Sequence, residues 1–264
     1  MELRGRSVLL TGASGGIGRA AALRLARSGV RLTLVARSEG PLRALASEVE
    51  SSGGEALAVP ADVRSAEGCA KAVTEAVRRF GGLDALVNNA GVGYLRAIDE
   101  ATEAEIEEMV ELNLLGVIRM TRAALRHLLD RPGSALVNVA SYAGKVGAPN
   151  YSYYGATKFA VAGLTEGWRR ELPARGIRVT LLLPAAVETP FLDRAGRSRA
   201  LGAGPAGTLL RADDVARGVE RALRRHPPEI YLPGRNHLLA LLNTAFPALS
   251  DRIVTSLFRY SRDR

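Results

Sequence analysis

Six short, nearly continuous apolar runs, at 7–11, 31–36, 56–60, 85–88, 135–140 and 178–183, alternate with longer segments of helical period at 17–28, 41–51, 65–80, 103–129 and 151–172. Runs too short for a buried helix and lacking an outward polar alternation suit strands covered on both faces, as in a parallel sheet. Parallel neighbours must be joined by crossovers, and the helical segments are long enough to supply them. The alternation therefore predicts a single doubly wound α/β domain with a central, mostly parallel sheet and helices on both faces. A last strand is expected at 229–232, which closes the domain near residue 234 and leaves 235–264 as an extension.

Boundary signals agree with this division. Thr102 and Glu105 stand at capping-box spacing before the longest helical segment, and Ser38 precedes Pro41 at the start of another. Gly29, Gly53-Gly54 and Gly81-Gly82 fall where helices should stop. The stretch 196–207, rich in Gly, Ala, Arg and Ser, reads as a mobile loop.

With 264 residues, 47% hydrophobic and 24% charged, the chain is sized for one large domain and has no disordered tract. The net charge of +9 raises a nucleic-acid partner, but the arginines are scattered and form no basic stripe with interleaved aromatics, so none is expected. Cys69 is the only cysteine, which excludes an intrachain disulfide and a multi-cysteine metal site; His127, His226 and His237 lack ligand spacing, so no metal is expected. No apolar leader or spanning stretch stands out, and a cytoplasmic location is expected.

The first strand delivers the chain into Thr11-Gly12-Ala13-Ser14-Gly15-Gly16-Ile17-Gly18, where a helical pattern begins. Small residues let backbone approach a pyrophosphate, and the helix N-terminus offers unpaired N–H groups to it. A glycine-rich turn alone can be a tight connection; between a buried strand and a helix it points to a dinucleotide and a Rossmann-type fold. Asn88-Asn89-Ala90-Gly91 follows the fourth strand, Asn113 lies in the next helix, Ser141 follows the fifth strand, and Tyr154 precedes Lys158 by four residues. In order and spacing these motifs resemble the short-chain dehydrogenases/reductases over roughly residues 5–190.

The resemblance implies an enzyme that interconverts a carbonyl and an alcohol with a nicotinamide cofactor, and a catalytic set of Asn113, Ser141, Tyr154 and Lys158. It implies cofactor contacts at Gly12, Ser14, Gly15, Gly16, Ile17 and Gly18, at Asp62 and Val63 beside the adenine, and at Asn89, Ala90 and Gly91 beside the adenosine ribose. Lys158 would bridge the nicotinamide ribose, Asn113 would hold a water relay, and Val187 and Thr189 would fix the carboxamide. Ala185 departs from the family's usual Gly, and would be strained if that position needs a positive φ. Ala36 stands where NAD-using relatives carry Asp, and Arg37 follows it as a fork for a 2′-phosphate, so NADP(H) is expected; otherwise Arg37 is one more solvated arginine.

Hydride transfer to a carbonyl builds charge on oxygen, which calls for a proton donor and a second hydrogen-bond donor; Tyr154 and Ser141 can supply them. Residues four apart share a helix face, and an ammonium at Lys158 should push the Tyr154 phenol down. Tyr151 and Tyr153 read as wall or packing residues. The substrate wall is expected from 93–96, 143–153 and 190–210, whose Val146, Ala148, Tyr151, Phe191 and Leu192 favour a lipophilic substrate. Arg96, Lys145 and Arg194 suit an anionic head group or a solvated rim.

Beyond 234, Leu238, Leu239, Leu241, Leu242, Ala245 and Phe246 form an apolar stripe. Pro247 breaks it, and Leu249, Ile253, Val254, Leu257 and Phe258 resume it, predicting two short helices. Their apolar face is open to three roles: a lid on the cleft, a subunit contact, or peripheral contact with a bilayer aided by Arg252, Arg259, Arg262 and Arg264. A lipophilic carbonyl substrate is preferred, with a 3-oxoacyl thioester reductase of fatty-acid synthesis and a catalytically silent cofactor sensor as the other readings. The resemblance also implies a homodimer or homotetramer built on the helical segments 103–129 and 151–172.

Overall fold

The structure, a computed structural model, describes residues 1–196 and 209–257. The strands, in chain order, are β1 (Ser7–Thr11), β2 (Arg31–Ala36), β3 (Glu55–Pro60), β4 (Ala85–Asn88), β5 (Ala135–Val139), β6 (Arg178–Pro184), a short pair β7 (Val187–Glu188) and β8 (Leu210–Arg211), and β9 (Glu229–Leu232). Seven of them form one parallel sheet in the order β3-β2-β1-β4-β5-β6-β9. The helices are α1 (Gly16–Arg27), α2 (Glu39–Ser51), α3 (Ala66–Phe80), α4 (Glu103–Val110), α5 (Gly116–Leu129), α6 (Ser152–Glu171), α7 (Pro190–Arg194), α8 (Ala212–Arg225), α9 (Asn236–Ala245) and α10 (Pro247–Leu257).

The strands read as apolar runs because both faces are covered. Val8 and Leu10 of β1 pack with residues of α1, α2 and α8, whereas Leu9 between them packs with residues of α3 and α5. All three are fully buried. Burying one such side chain contributes ~1.5–3 kcal/mol, so a polar residue at any of them would destabilise the sheet's centre.

Thr102 and Glu105 form the expected capping box, and Gly29, Gly53 and Gly81 take positive φ where α1, α2 and α3 end. Two details differ from expectation. Ser38 holds the N-cap position of α2 without a side-chain bond to its first turn. The segment 103–129 is not one α-helix: a π turn at Glu111–Leu115 separates α4 from α5. The loop expected at 196–207 lies, apart from Gly196, outside the described residues, as do Phe258, Arg259, Arg262 and Arg264 of the tail.

Candidate active site

The sheet order reverses at β1, which has β2 on one side and β4 on the other. The crevice beyond the strand ends at such a reversal is where open α/β sheets bind ligands. Here Thr11 staples its two sides: its Oγ1 accepts from the N–H groups of Asn89 at 2.9 Å and Ala90 at 3.0 Å, while Asn89 Nδ2 donates to Thr11 O at 3.0 Å.

The turn after β1 has the shape a pyrophosphate requires. Gly12 has φ +67°, and a Cβ there would stand 2.8 Å from the Cα of Ala90. A Cβ on Gly18 would lie 2.0 Å from the carbonyl oxygen of Gly12, so α1 starts in direct contact with the turn. Gly15, at the N-cap of α1, carries no side chain to satisfy the first-turn N–H groups. Open amides at the positive end of a helix dipole form an anion site.

One cavity of about 1070 Å³ is lined by this turn, by Arg37, Asp62 and Asn89, and by Ser141, Tyr154 and Lys158, and every residue expected to touch a cofactor lines it. The donor set fits a dinucleotide: the backbone amides of the turn, the guanidinium of Arg37 with the carboxylate of Asp62, and the hydroxyls of Ser141 and Tyr154 with the ammonium of Lys158.

Tyr154 sits in the first turns of α6, its ring against Tyr151 and Phe191 at centroid distances of 6.4 and 5.9 Å. The Nζ of Lys158, one turn on, lies 5.7 Å from the Tyr154 ring centre and donates to the carbonyl of Val139 at 3.4 Å. Ser141, after β5, faces the Tyr154 hydroxyl and caps the turn Tyr142–Gly144 by accepting from the Ala143 N–H at 3.2 Å.

The electrostatics correct one expectation. Burial pushes the Tyr154 phenol up to about 12, outweighing the hydrogen bond from Ser141, and burial draws the Lys158 ammonium down to about 8. Both groups are nearly enclosed, at 8% and 5% exposure, so desolvation dominates and the ammonium does not set the sign of the phenol's shift. The phenol is protonated at neutral pH.

Asn113 is fully buried in the π turn and does not line the cavity. Its Oδ1 accepts from Val92 N–H at 2.9 Å, and its Nδ2 donates to Val92 O at 2.8 Å and Thr157 Oγ1 at 3.0 Å. Thr157 in turn donates to the carbonyl of Tyr154 at 2.8 Å. The side chain thus ties the loop after β4 to α6.

The sequence pattern of the family described as short chain dehydrogenase matches residues 6–200. The chain belongs to the short-chain dehydrogenase/reductase family. It is 32% identical to an uncharacterized oxidoreductase, YxnA, of Bacillus subtilis over 99% of this chain and 74% of that protein. It is 31% identical to the 3-oxoacyl-(acyl-carrier-protein) reductase FabG of Thermotoga maritima over 82% of this chain and 89% of that one. Among solved structures, a short chain dehydrogenase from Burkholderia cenocepacia in complex with NADP superposes with a TM-score of 0.77 at 32% identity, covering 88% of this chain and 97% of that one.

Around the shared core, this family member has features that residue spacing did not reveal. Arg37 is half exposed and lies 3.8 Å from Glu108, which also stands 3.7 Å from Arg64 and accepts from the Tyr94 hydroxyl at 2.5 Å. Arg64 clamps the carboxylate of Asp62, holding it below its ordinary pKa. Arg96 and Lys145 are not free for a head group, since they pair with Glu105 at 2.9 Å and Glu229 at 2.8 Å. Arg194 lines the cavity, as does Arg235, which the sequence reading missed. Tyr151 lines it too, whereas the Tyr153 hydroxyl donates to Ile98 O at 3.0 Å. Ala185 is not among the described residues with positive φ, and the strain considered there is absent. No helix of the described residues is long and apolar enough to cross a membrane, and no cluster of metal-ligating side chains occurs among them.

Proposed function

We propose that this protein is an NADP(H)-dependent oxidoreductase that reduces a lipophilic ketone or aldehyde to its alcohol, or runs the reverse reaction, with Tyr154 as acid–base. One observation carries the reading: a buried phenol, its hydroxyl beside Ser141 and an ammonium behind it, lines the same cavity as the glycine turn.

A bound nicotinamide supplies a hydride, two electrons and one hydrogen nucleus, to the carbonyl carbon. The residues of this chain do the rest. The amides of residues 14–18 hold the pyrophosphate, Asn89 to Gly91 and Asp62 with Val63 flank the adenosine, and Val187 and Thr189 hold the carboxamide. Lys158 holds the nicotinamide ribose. Ser141 and Tyr154 donate hydrogen bonds to the carbonyl oxygen, and Tyr154 delivers the proton that completes the hydroxyl. Asn113 positions Tyr154 and Lys158 through Thr157. A phenol kept protonated favours reduction, and oxidation requires it to be charged first.

Arg37 carries the preference for the phosphorylated cofactor. Arg37→Asp is expected to lower kcat/KM for NADPH relative to NADH by about 100-fold, the scale of a lost charge-assisted pair and a gained repulsion. Steady-state rates with both cofactors measure it, and an unchanged ratio would remove Arg37 from the phosphate site.

A second reading, reduction of a 3-oxoacyl thioester, is favoured by the likeness to the acyl-carrier-protein reductase. NADPH oxidation with an acetoacetyl thioester set against simple ketones separates the two.

A further inference from the structure

The pattern shared across the family ends at residue 200, and the cavity does not. It is also lined by Leu239 and Leu242 of α9, Phe246, and Leu249, Ile253 and Val254 of α10. From this surface, and resting on the reading above, we infer that α9 and α10 are part of the substrate site: they form an apolar arm that takes the hydrocarbon body of the carbonyl substrate and sets its chain-length preference.

The arm is placed with respect to the reacting groups. Asn243 Nδ2 donates to the carbonyl of Lys145, just after the turn capped by Ser141, at 3.5 Å, and Ser250 donates to Asn243 Oδ1 at 2.6 Å, joining α10 to α9. His237 stacks on Tyr231 of β9 at 4.7 Å, and Asn236 is buried. These contacts seat both helices on the catalytic domain.

The arm's surface is apolar and wetted. Leu242 is 44% and Phe246 58% exposed, so a chain laid along them removes apolar area on both sides from water. Apart from Arg37 and Asp62 toward the adenosine end and Lys158 at the centre, the charged side chains among the described lining residues are Arg194 and Arg235. With no carboxylate there, a cationic substrate is disfavoured and a neutral hydrocarbon chain is accepted. Leu238 and Leu241, 62% and 55% exposed, do not line the cavity, which gives a control on the same helix.

The test uses the full chain, NADPH and a series of methyl ketones from 2-butanone to 2-undecanone. For the wild type, kcat/KM is expected to rise roughly two- to fourfold per added methylene until the arm is filled. Leu242→Asp with Leu249→Asp should flatten that rise, losing at least tenfold on 2-undecanone while 2-butanone stays within about twofold. Leu238→Asp with Leu241→Asp should leave the rise intact. Calorimetric binding of 2-undecanone to the NADP-bound protein makes the same comparison without turnover, so absence of reaction would count against the reaction assigned to Tyr154 and leave the arm still testable. An undiminished chain-length rise, or undiminished 2-undecanone binding, in the Leu242/Leu249 variant would overturn the inference. So would an equal loss in the Leu238/Leu241 variant, which would place the face against a bilayer or a second copy.

Discussion

Tyr154→Phe is expected to lower kcat about 1000-fold, the mid-range for loss of a general acid, while the affinity for NADPH measured by fluorescence titration changes less than about threefold. The substitution removes one oxygen and keeps the ring. The packing with Tyr151 and Phe191 therefore survives, and the contacts along the glycine turn are untouched. What is lost is the hydroxyl that the proposed mechanism makes the proton donor to the carbonyl oxygen; Ser141 remains as a hydrogen-bond donor. Retention of substantial turnover would assign the proton to another group.

Replacing Lys158 with Met is expected to move activity and stability in opposite directions. The ammonium is enclosed, and its fall from 10.5 to about 8, at ~1.4 kcal/mol per unit, corresponds to a penalty on the order of 3 kcal/mol at pH 7. The sign follows from proton uptake. Below pH 8 both folded and unfolded chains are charged at this position and the penalty is complete. Between about 8 and 10.5 the unfolded chain binds more protons, so wild-type stability contributed by this group rises with pH. Lys158→Met should therefore unfold at higher denaturant concentration than wild type at pH 7, with the advantage shrinking toward pH 10. Below about pH 10 the Tyr154 shift is silent, since it acts between about 10 and 12. Turnover should fall at least about 100-fold, as the proposed ribose contact and the charge near the phenol are both removed. A variant that loses activity and also loses stability at pH 7 would mean that Lys158 is a structural residue.

Strands and helix ends were legible in the sequence because their causes are local. Between Ser7 and Thr11 the run Val8-Leu9-Leu10 is apolar without alternation, and Gly29 and Gly81 end helices with a φ that other residues avoid. Apart from Asn113, the motif residues were legible as a set because they fall at the end of a strand or on one face of α6, and a parallel sheet gathers those ends into one crevice. The remainder depends on long-range packing. The π turn around Asn113 is a shift of hydrogen-bond register and leaves no mark in residue type. The sign of the Tyr154 shift is set by burial among Ser141, Tyr151 and Phe191, and a four-residue spacing to Lys158 says nothing of desolvation. Arg96 and Lys145 looked like candidate rim cations until their partners, Glu105 and Glu229, were brought to them by the fold. The apolar stripe of the tail was plain, but only the seating of α9 beside β9 and the loop at Lys145 decides which part of it faces the cavity.

The most direct test is isotopic. NADPH deuterated at the transferring carbon is incubated with the protein and a lipophilic ketone, and the product alcohol is analysed by mass spectrometry. Deuterium at the carbinol carbon with wild type, and about 1000-fold less with Tyr154→Phe, is the predicted result. A protein that binds NADPH tightly yet transfers deuterium to no ketone, aldehyde or thioester would contradict the account.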